Sequence, residues 1–331
     1  MVVGGPYFED LTVGDRYDAA PALTLTEGHA ALHQAIVGDR LRLALDADLS
    51  ERVLGAGRRL AHPLLVCDVA IGQSTLATQR VIANLFYRRL VLLRAPQIGD
   101  TLRTSTEIVA LRRNRPREGR AATGLAVLRV RTVDQHAREI LDFWRCAMLP
   151  LRDEASPPGR DDDLDAFGAD LPADLTASLQ GWDLGAFRAA VPGAHFADLS
   201  APARWELEGG DTVTSAPELA RLSLNVAKTH TDPAASRDGR RLVYGGHTIG
   251  MAAAALTRAL PNLVSILGWH ECRHLAPVME GDVLHTVVSL ERVEPLAAGG
   301  GLAHLRCEVQ AHREDGTRDA VLDWRLVGAF A

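Results

Sequence analysis

The sequence repeats itself. Arg58, Arg59 and Leu60 recur as Arg240, Arg241 and Leu242, 182 positions further on. The segment APQIGDTL, Ala95 to Leu102, returns as APVMEGDVL, Ala276 to Leu284, with Gly99 and Asp100 again 182 positions before Gly281 and Asp282. Leu141 and Asp142 return as Leu322 and Asp323 after 181 positions. Three matches in one order at nearly one spacing mark a duplication, which fixes the architecture before any motif is interpreted. A chain of 331 residues then divides into two units of roughly 150, an ordinary domain size.

Each copy runs through the same elements: a polar helical stretch, a loop, a more apolar helix, then strands parted by Gly and Asp turns. The apolar helix is HPLLVCDVAIGQST, His62 to Thr75, in the first copy and HTIGMAAAALTRAL, His247 to Leu260, in the second. Several turns without a polar face predict a helix buried on most sides. The closing strands alternate with period two. In LAHLRCEVQAH, Ala303, Leu305, Cys307, Val309 and Ala311 share one face, and His304, Arg306, Glu308 and Gln310 the other. In the first copy Ala126, Leu128 and Val130 point inward, with Arg129 and Arg131 outward. An antiparallel sheet wrapped around a buried helix accounts for both copies, an α+β class.

Between the copies, RDEASPPGRDDDLDAF carries Pro, Gly, Ser and the acidic run Asp161, Asp162 and Asp163, which reads as a linker with a solvated face. The units are therefore 1–152, a linker 153–200, and 201–331. Cys67, Cys146, Cys272 and Cys307 form no CxxC pair and read as buried free thiols. A net charge of -6 with 5% aromatics excludes a nucleic-acid binder. No segment predicts a membrane span, and the N-terminus lacks the features of a signal peptide, so a cytoplasmic location is expected. Lys228 is the one lysine, leaving arginine to hold any anionic ligand.

The second copy contains LSLNVAKTHTDPAASRDGRRLVYGGHTIGMAAAA. This segment resembles the MaoC-like hydratase family, whose motif places an acidic residue before Pro and His and then a Gly turn into a buried helix. NVAKTH, RRLVYGGH and SILGWHECRHLAPVMEGD look like its mesaconyl-CoA hydratase and β-methylmalyl-CoA dehydratase subgroup. The resemblance implies a tandem (double) hot-dog fold and a lyase that reversibly adds water to a branched or dicarboxylic enoyl-CoA, without metal or redox cofactor. A homodimer is implied by resemblance alone. His230 fits the family histidine; Asn225 stands where the acid would be, and an amide cannot exchange a proton as a carboxylate does.

The residues support that chemistry by themselves. Hydrating an enoyl thioester needs a group that activates water, a proton for the α-carbon and donors for the enolate oxygen. His230 is the water activator. Asn225 orients the water or the imidazole; the five-residue spacing puts the two about 140° apart on an ideal helix, so the helix is expected to end between them, near Lys228. Gly245 and Gly246, flanked by Tyr244 and His247, are expected to offer free amides at a helix start. Asp232 is a candidate substitute for the missing acid, or simply the start of an Asp-Pro turn.

Candidate ligands of CoA phosphates are Arg237, Arg240 and Arg241, with Arg112, Arg113, Arg115 and Arg117 as a second cluster. Arg273 or Lys228 is the candidate cation for a second carboxylate. Allowing a loop four residues longer, Asp39 matches Asn225 and Ala44 matches His230, so the first copy lacks the histidine and is expected to be chemically silent, shaping a channel. The alternatives are a hydratase or dehydratase for simple (R)-3-hydroxyacyl chains, a thioesterase, for which YGGH supplies no carboxylate, and a non-catalytic acyl-CoA binding protein.

Overall fold

The computed structural model describes residues 4–116, 118–119, 121–153, 160–236 and 239–331. Among them, twelve strands form one antiparallel sheet. The first half contributes β1 (Arg16–Tyr17), β2 (Leu23–Thr24), β3 (Ala83–Leu92), β4 (Thr101–Arg113), β5 (Thr123–Val133) and β6 (Glu139–Pro150). The second contributes β7 (Ala203–Glu206), β8 (Asp211–Thr212), β9 (Ser265–His274), β10 (Val283–Pro295), β11 (Gly301–His312) and β12 (Arg318–Phe330). The order β4-β5-β6-β3 is mirrored by β9-β12-β11-β10, and the halves join where β3 pairs with β9. Across that seam Arg88 opposes Glu271 and bonds it at 2.9 Å, while Tyr87 meets Trp269 edge to face. The sheet therefore continues through the duplication.

The duplication survives in the turns. Gly99 and Gly281 adopt φ +99° and +96°, the left-handed region that glycine enters without penalty. Asp100 and Asp282 follow, and their carboxylates accept the amides of Gln97 and Met279 at 2.8 and 2.9 Å. Leu60 and Leu242, from the repeated Arg-Arg-Leu, bridge to those same residues, Gln97 and Met279.

The helices are α1 (Glu27–Val37), α2 (Arg42–Leu45), α3 (Ala47–Leu54), α4 (Pro63–Gln73), α5 (Leu184–Ala190), α6 (Ala216–Leu222) and α7 (Gly245–Ala259). Every residue of α4 is buried, as are Gly246 through Thr257 of α7. These are the two apolar helices expected from the sequence, and they pack on each other inside one core shared by both halves. Burying a Leu, Val or Ile side chain is worth about 1.5–3 kcal/mol, so Leu65, Val66 and Val69, all fully buried, each anchor α4. All four cysteines are free and buried.

The expected alternation holds on β11 from Leu305 onward, but His304 is buried, meeting His270 at 3.1 Å. On β5, Leu125 and Val127 are buried on the face opposite Ala126 and Leu128. They form a second small core with Phe86 and Leu164, so part of the stretch read as a linker packs on the outer face of the sheet. Its acidic run is exposed but not merely solvated: Asp162 accepts the Leu111 amide at 2.8 Å and Asp163 caps a 3-10 turn at Leu164–Ala166. Residues 154–159 of that stretch lie outside the described residues.

Candidate active site

His230 reaches its place through a sequence of turns. Helix α6 ends at Leu222, Leu224 takes a positive φ of 59°, and a 3-10 turn spans Lys228–His230. The expectation that a helix runs to Lys228 is therefore corrected: the reversal at Leu224 stops it before Asn225, and the ideal-helix angle between Asn225 and His230 does not apply. This loop rests on the other half. Gly72 of α4 allows it, because a Cβ there would stand 1.7 Å from the Ser223 carbonyl oxygen. The Val226 amide donates to Thr75 Oγ1 at 3.0 Å, and the Asn225 side-chain oxygen accepts the Ala227 amide at 2.9 Å.

The imidazole of His230 is 6% exposed, and its Nδ1 lies 2.9 Å from the Leu242 carbonyl oxygen. A carbonyl only accepts, so Nδ1 carries the proton and Nε2 keeps its lone pair. Burial pushes the pKa down to about 4, against the opposing effect of the Leu242 carbonyl. The ring is neutral near pH 7 and tilts against Tyr244, centroids 5.8 Å apart. It does not point into bulk solvent.

Tyr244 precedes α7 and offers no side-chain cap, so the first amides of the helix, at Gly245 and Gly246, have no side-chain acceptor. Both positions exclude a side chain. A Cβ on Gly245 would come within 2.7 Å of His274 Nε2, and one on Gly246 within 1.9 Å of Asp68 Oδ1. The Tyr244 hydroxyl donates to the Asp68 carbonyl at 3.2 Å, and Asp68 Oδ2 lies 3.2 Å from His33 Nε2 in a buried pair. A carboxylate from α4 of the first half thus stands at the glycine turn of the second.

Several expected site residues are placed elsewhere. Asp232 is exposed and its carboxylate accepts the Ala234 amide at 2.9 Å, the turn role and not that of a substitute acid. His247 is sealed inside the helix packing with neither ring nitrogen bonded, and burial pushes its pKa to about 4. Lys228 is exposed on its 3-10 turn. Arg240 pairs with Asp282 at 3.4 Å and Arg241 with Glu280, which ties both to the repeated turn. Arg237 and Arg117 lie outside the described residues. Arg112 borders Asp161, and Arg115 is exposed.

Arg273 is corrected as a cation for the acyl end. It alternates with the inward-facing Cys272 and His274 and so projects from the outer face of β9, where it pairs with Asp323 at 2.5 Å.

Two groups missed in the sequence stand close to this turn. His274 is half-buried beside Gly245, its Nε2 sealed and unbonded, and desolvation pushes its pKa to about 4. Arg145 of β6 is 2% exposed and has no carboxylate partner among the described residues. It donates to the Ser74 carbonyl at 3.2 Å and Thr78 Oγ1 at 2.7 Å, while its Nε is unbonded. Burial lowers its pKa, and the nearby Tyr87 and Tyr244 hydroxyls oppose that. Neither residue sits in a local motif; each arrives through strand pairing.

Fold and site together define a double hot-dog protein: two sheets joined into one, two buried helices, and a histidine at the glycine start of one of them. The chain belongs to the double hot-dog family. It is 53% identical over all of both chains, with a TM-score of 0.93, to Rv0216 of Mycobacterium tuberculosis, a conserved hypothetical protein described as having a double hot-dog fold. A MaoC-domain protein of Chloroflexus aurantiacus shares the fold at TM-score 0.85 and 24% identity, covering 98% of this chain and 97% of that one. Among curated proteins the chain is 27% identical to mesaconyl-CoA hydratase of Cereibacter sphaeroides, covering 93% of this chain and 90% of that one. It is 28% identical to β-methylmalyl-CoA dehydratase of Chloroflexus aurantiacus, covering 85% and 80%. No family model matches the chain. Among the described residues no helix is long and apolar enough to cross a membrane.

Proposed function

We propose that this chain is an acyl-CoA hydratase/dehydratase that reversibly adds water to a branched, dicarboxylic enoyl-CoA thioester. The two curated relatives are a hydratase and a dehydratase, and the chain is a hydro-lyase of that type. The observation that carries the reading is His230: a buried neutral imidazole, fixed through Nδ1, with the Nε2 lone pair free.

In the hydration direction, water oxygen bonds to the β-carbon as Nε2 takes its proton, and the thioester becomes an enolate whose oxygen is held by the Gly245 and Gly246 amides. Burial disfavours the imidazolium, so it readily gives the proton up to the α-carbon and the neutral base is restored. Asn225 positions the water. Asp68, held by His33, is a carboxylate at the same turn and a second group able to relay the proton.

Arg145 supports the dicarboxylic substrate. A buried guanidinium without a carboxylate costs several kcal/mol, which the Ser74 carbonyl, the Thr78 hydroxyl and the Asn84 side-chain oxygen offset only in part. A substrate carboxylate would complete the pairing. The competing reading, a hydratase for simple acyl chains, leaves that charge unmatched.

The test follows absorbance of the thioester-conjugated double bond with mesaconyl-CoA and crotonyl-CoA. His230→Ala is expected to lower kcat by about 10²–10⁴-fold with CoA binding retained. Full activity in that variant refutes the reading.

A further inference from the structure

The pseudo-symmetry of the chain gives the first half a counterpart of the His230 site, and that counterpart is not empty of chemistry. Asp39 accepts the Leu41 amide at 2.7 Å, and the Arg40 amide donates to Thr257 Oγ1 at 3.2 Å, at the end of α7. These bonds repeat those of Asn225 and Val226 with Thr75 at the end of α4. Ala44 stands where His230 does, as the sequence implied. A histidine nevertheless reaches Asp39 from another position: His62, which precedes α4 as Tyr244 precedes α7.

His62 Nδ1 accepts the Leu64 amide at 3.1 Å, so its proton sits on Nε2, 2.9 Å from Asp39 Oδ1. The contact is close but out of line for a hydrogen bond, and Asp39 Oδ2 is buried with no hydrogen-bond partner. A small cavity borders this pair, lined by His33, Asp39, Ala44 and His62. Burial pushes the Asp39 carboxyl up, but His62 and the Leu41 amide prevail and hold it below its ordinary value.

On the other side of Arg40 a cleft of about 500 Å³ opens, a volume ordinary for small-molecule sites. Arg40, Arg42, Arg52 and Arg258 line it together with Leu45, and Leu45 lines the small cavity too. Arg42 spends Nε on the Pro261 carbonyl at 3.0 Å and Arg52 pairs with Asp48 at 2.8 Å. Arg40 and Arg258 have no ion-pair partner among the described residues. Asp46, also on the wall, is occupied capping α3 through the Leu49 amide. Leu45, 54% exposed, gives the cleft an apolar edge.

We infer that this cleft is a second ligand site, taking a phosphorylated nucleotide with its phosphates on the arginines and its base on the apolar wall. Four guanidiniums, of which only Arg52 has a carboxylate partner among the described residues, attract phosphate, for which arginine is the preferred partner. The apolar wall separates a nucleotide from a bare polyanion. The cleft lies at the opposite end of α7 from Gly245, and none of its arginines belongs to the hydration site.

The experiment is calorimetric titration of adenosine 3′,5′-bisphosphate, with tripolyphosphate as the arm that carries charge without a base. Wild type is expected to bind the nucleotide saturably and tripolyphosphate more weakly. The exposed double variant Arg52→Glu/Arg258→Glu is expected to weaken nucleotide binding by about tenfold or more, with Tm unchanged and hydration of enoyl-CoA retained. His230→Ala is expected to bind as wild type does. Absence of saturable binding to wild type, equal binding by the charge-reversed variant, or tripolyphosphate binding as tightly as the nucleotide overturns the proposal.

Discussion

Asp39 and Asn225 hold the same place in the two halves: each accepts the amide two residues on, and the next amide after each donates to a threonine closing the other half's central helix. What differs is the partner. Asp39 has His62 at 2.9 Å where the histidine position is Ala44, whereas Asn225 shares its loop with His230. Duplication has left the acid in one half and the family histidine in the other. The first half, expected from the sequence to be chemically silent, thus keeps a carboxylate and an imidazole in contact.

The loop bearing Asn225 and His230 depends on Gly72. A methyl group at that position would overlap the Ser223 carbonyl oxygen, 1.7 Å away, and the obstruction is rigid backbone. Gly72→Ala is expected to destabilise the protein by about 1–3 kcal/mol, the usual cost of overpacking. Hydratase kcat is expected to fall by about 10²-fold because a displacement near 1 Å suffices for that. Thermal unfolding and enoyl-CoA turnover on the same preparation check both; unchanged turnover would mean the loop does not need α4.

Acid sensitivity follows from imidazoles that the fold desolvates. His230, His247, His274 and His304 are each pushed down to about 4, chiefly by desolvation, from the ordinary 6.5. Between those values the unfolded chain takes up protons that the folded chain refuses, so stability falls as pH falls through that window and levels off below about 4. Chemical denaturation at intervals from pH 7.5 to pH 4.5 should show the decline. His274→Asn, which keeps a polar side chain at Gly245 without a titrating ring, is expected to flatten it. An identical slope in that variant would show that His274 takes up its proton as readily in the fold as in the unfolded chain.

The sequence made the duplication legible because its markers answer to local rules. A glycine with positive φ and an aspartate capping the turn recur wherever that turn recurs, and Gly99, Asp100, Gly281 and Asp282 could be read directly. His230 and the glycine pair were legible for the same reason, as neighbours along the chain. Asp68, His274 and Arg145 were not, because α4, β9 and β6 deliver them through tertiary packing that no spacing encodes. Asp39–His62 was missed because matching the copies position by position led to Ala44, while the imidazole comes from the residue before the helix. Arg273 failed as a candidate through strand alternation alone: one position earlier or later it would have faced inward.

Arg145 separates the two substrate readings. Its guanidinium also holds the Ser74 carbonyl, so Arg145→Met is expected to lose stability whatever it binds, by about 3–5 kcal/mol at most if a buried network is broken. The informative quantity is therefore a ratio. If Arg145 receives a substrate carboxylate, kcat/KM for mesaconyl-CoA is expected to drop by about 10²-fold relative to crotonyl-CoA in the surviving folded fraction. An unchanged ratio makes the residue a structural cap of α4 and removes the support it lends to a dicarboxylic substrate.

Asn225→Asp restores the family's acid beside the histidine. The carboxylate can keep the acceptor bond to the Ala227 amide, now 2.9 Å, so the loop geometry is expected to hold. If residues 225 and 230 face one water, the new negative charge stabilises the imidazolium and lifts the His230 pKa from about 4 toward its ordinary value. The base is active when neutral, so the acid limb of kcat/KM is expected to move to higher pH, while turnover above that limb is retained or raised by the stronger base. The pH profile of kcat/KM for enoyl-CoA hydration in wild type and variant measures this directly. A limb that stays where it was would mean that the two side chains do not share a pocket, and the water would then have to be held by another group, with Asp68 the first to replace by Asn.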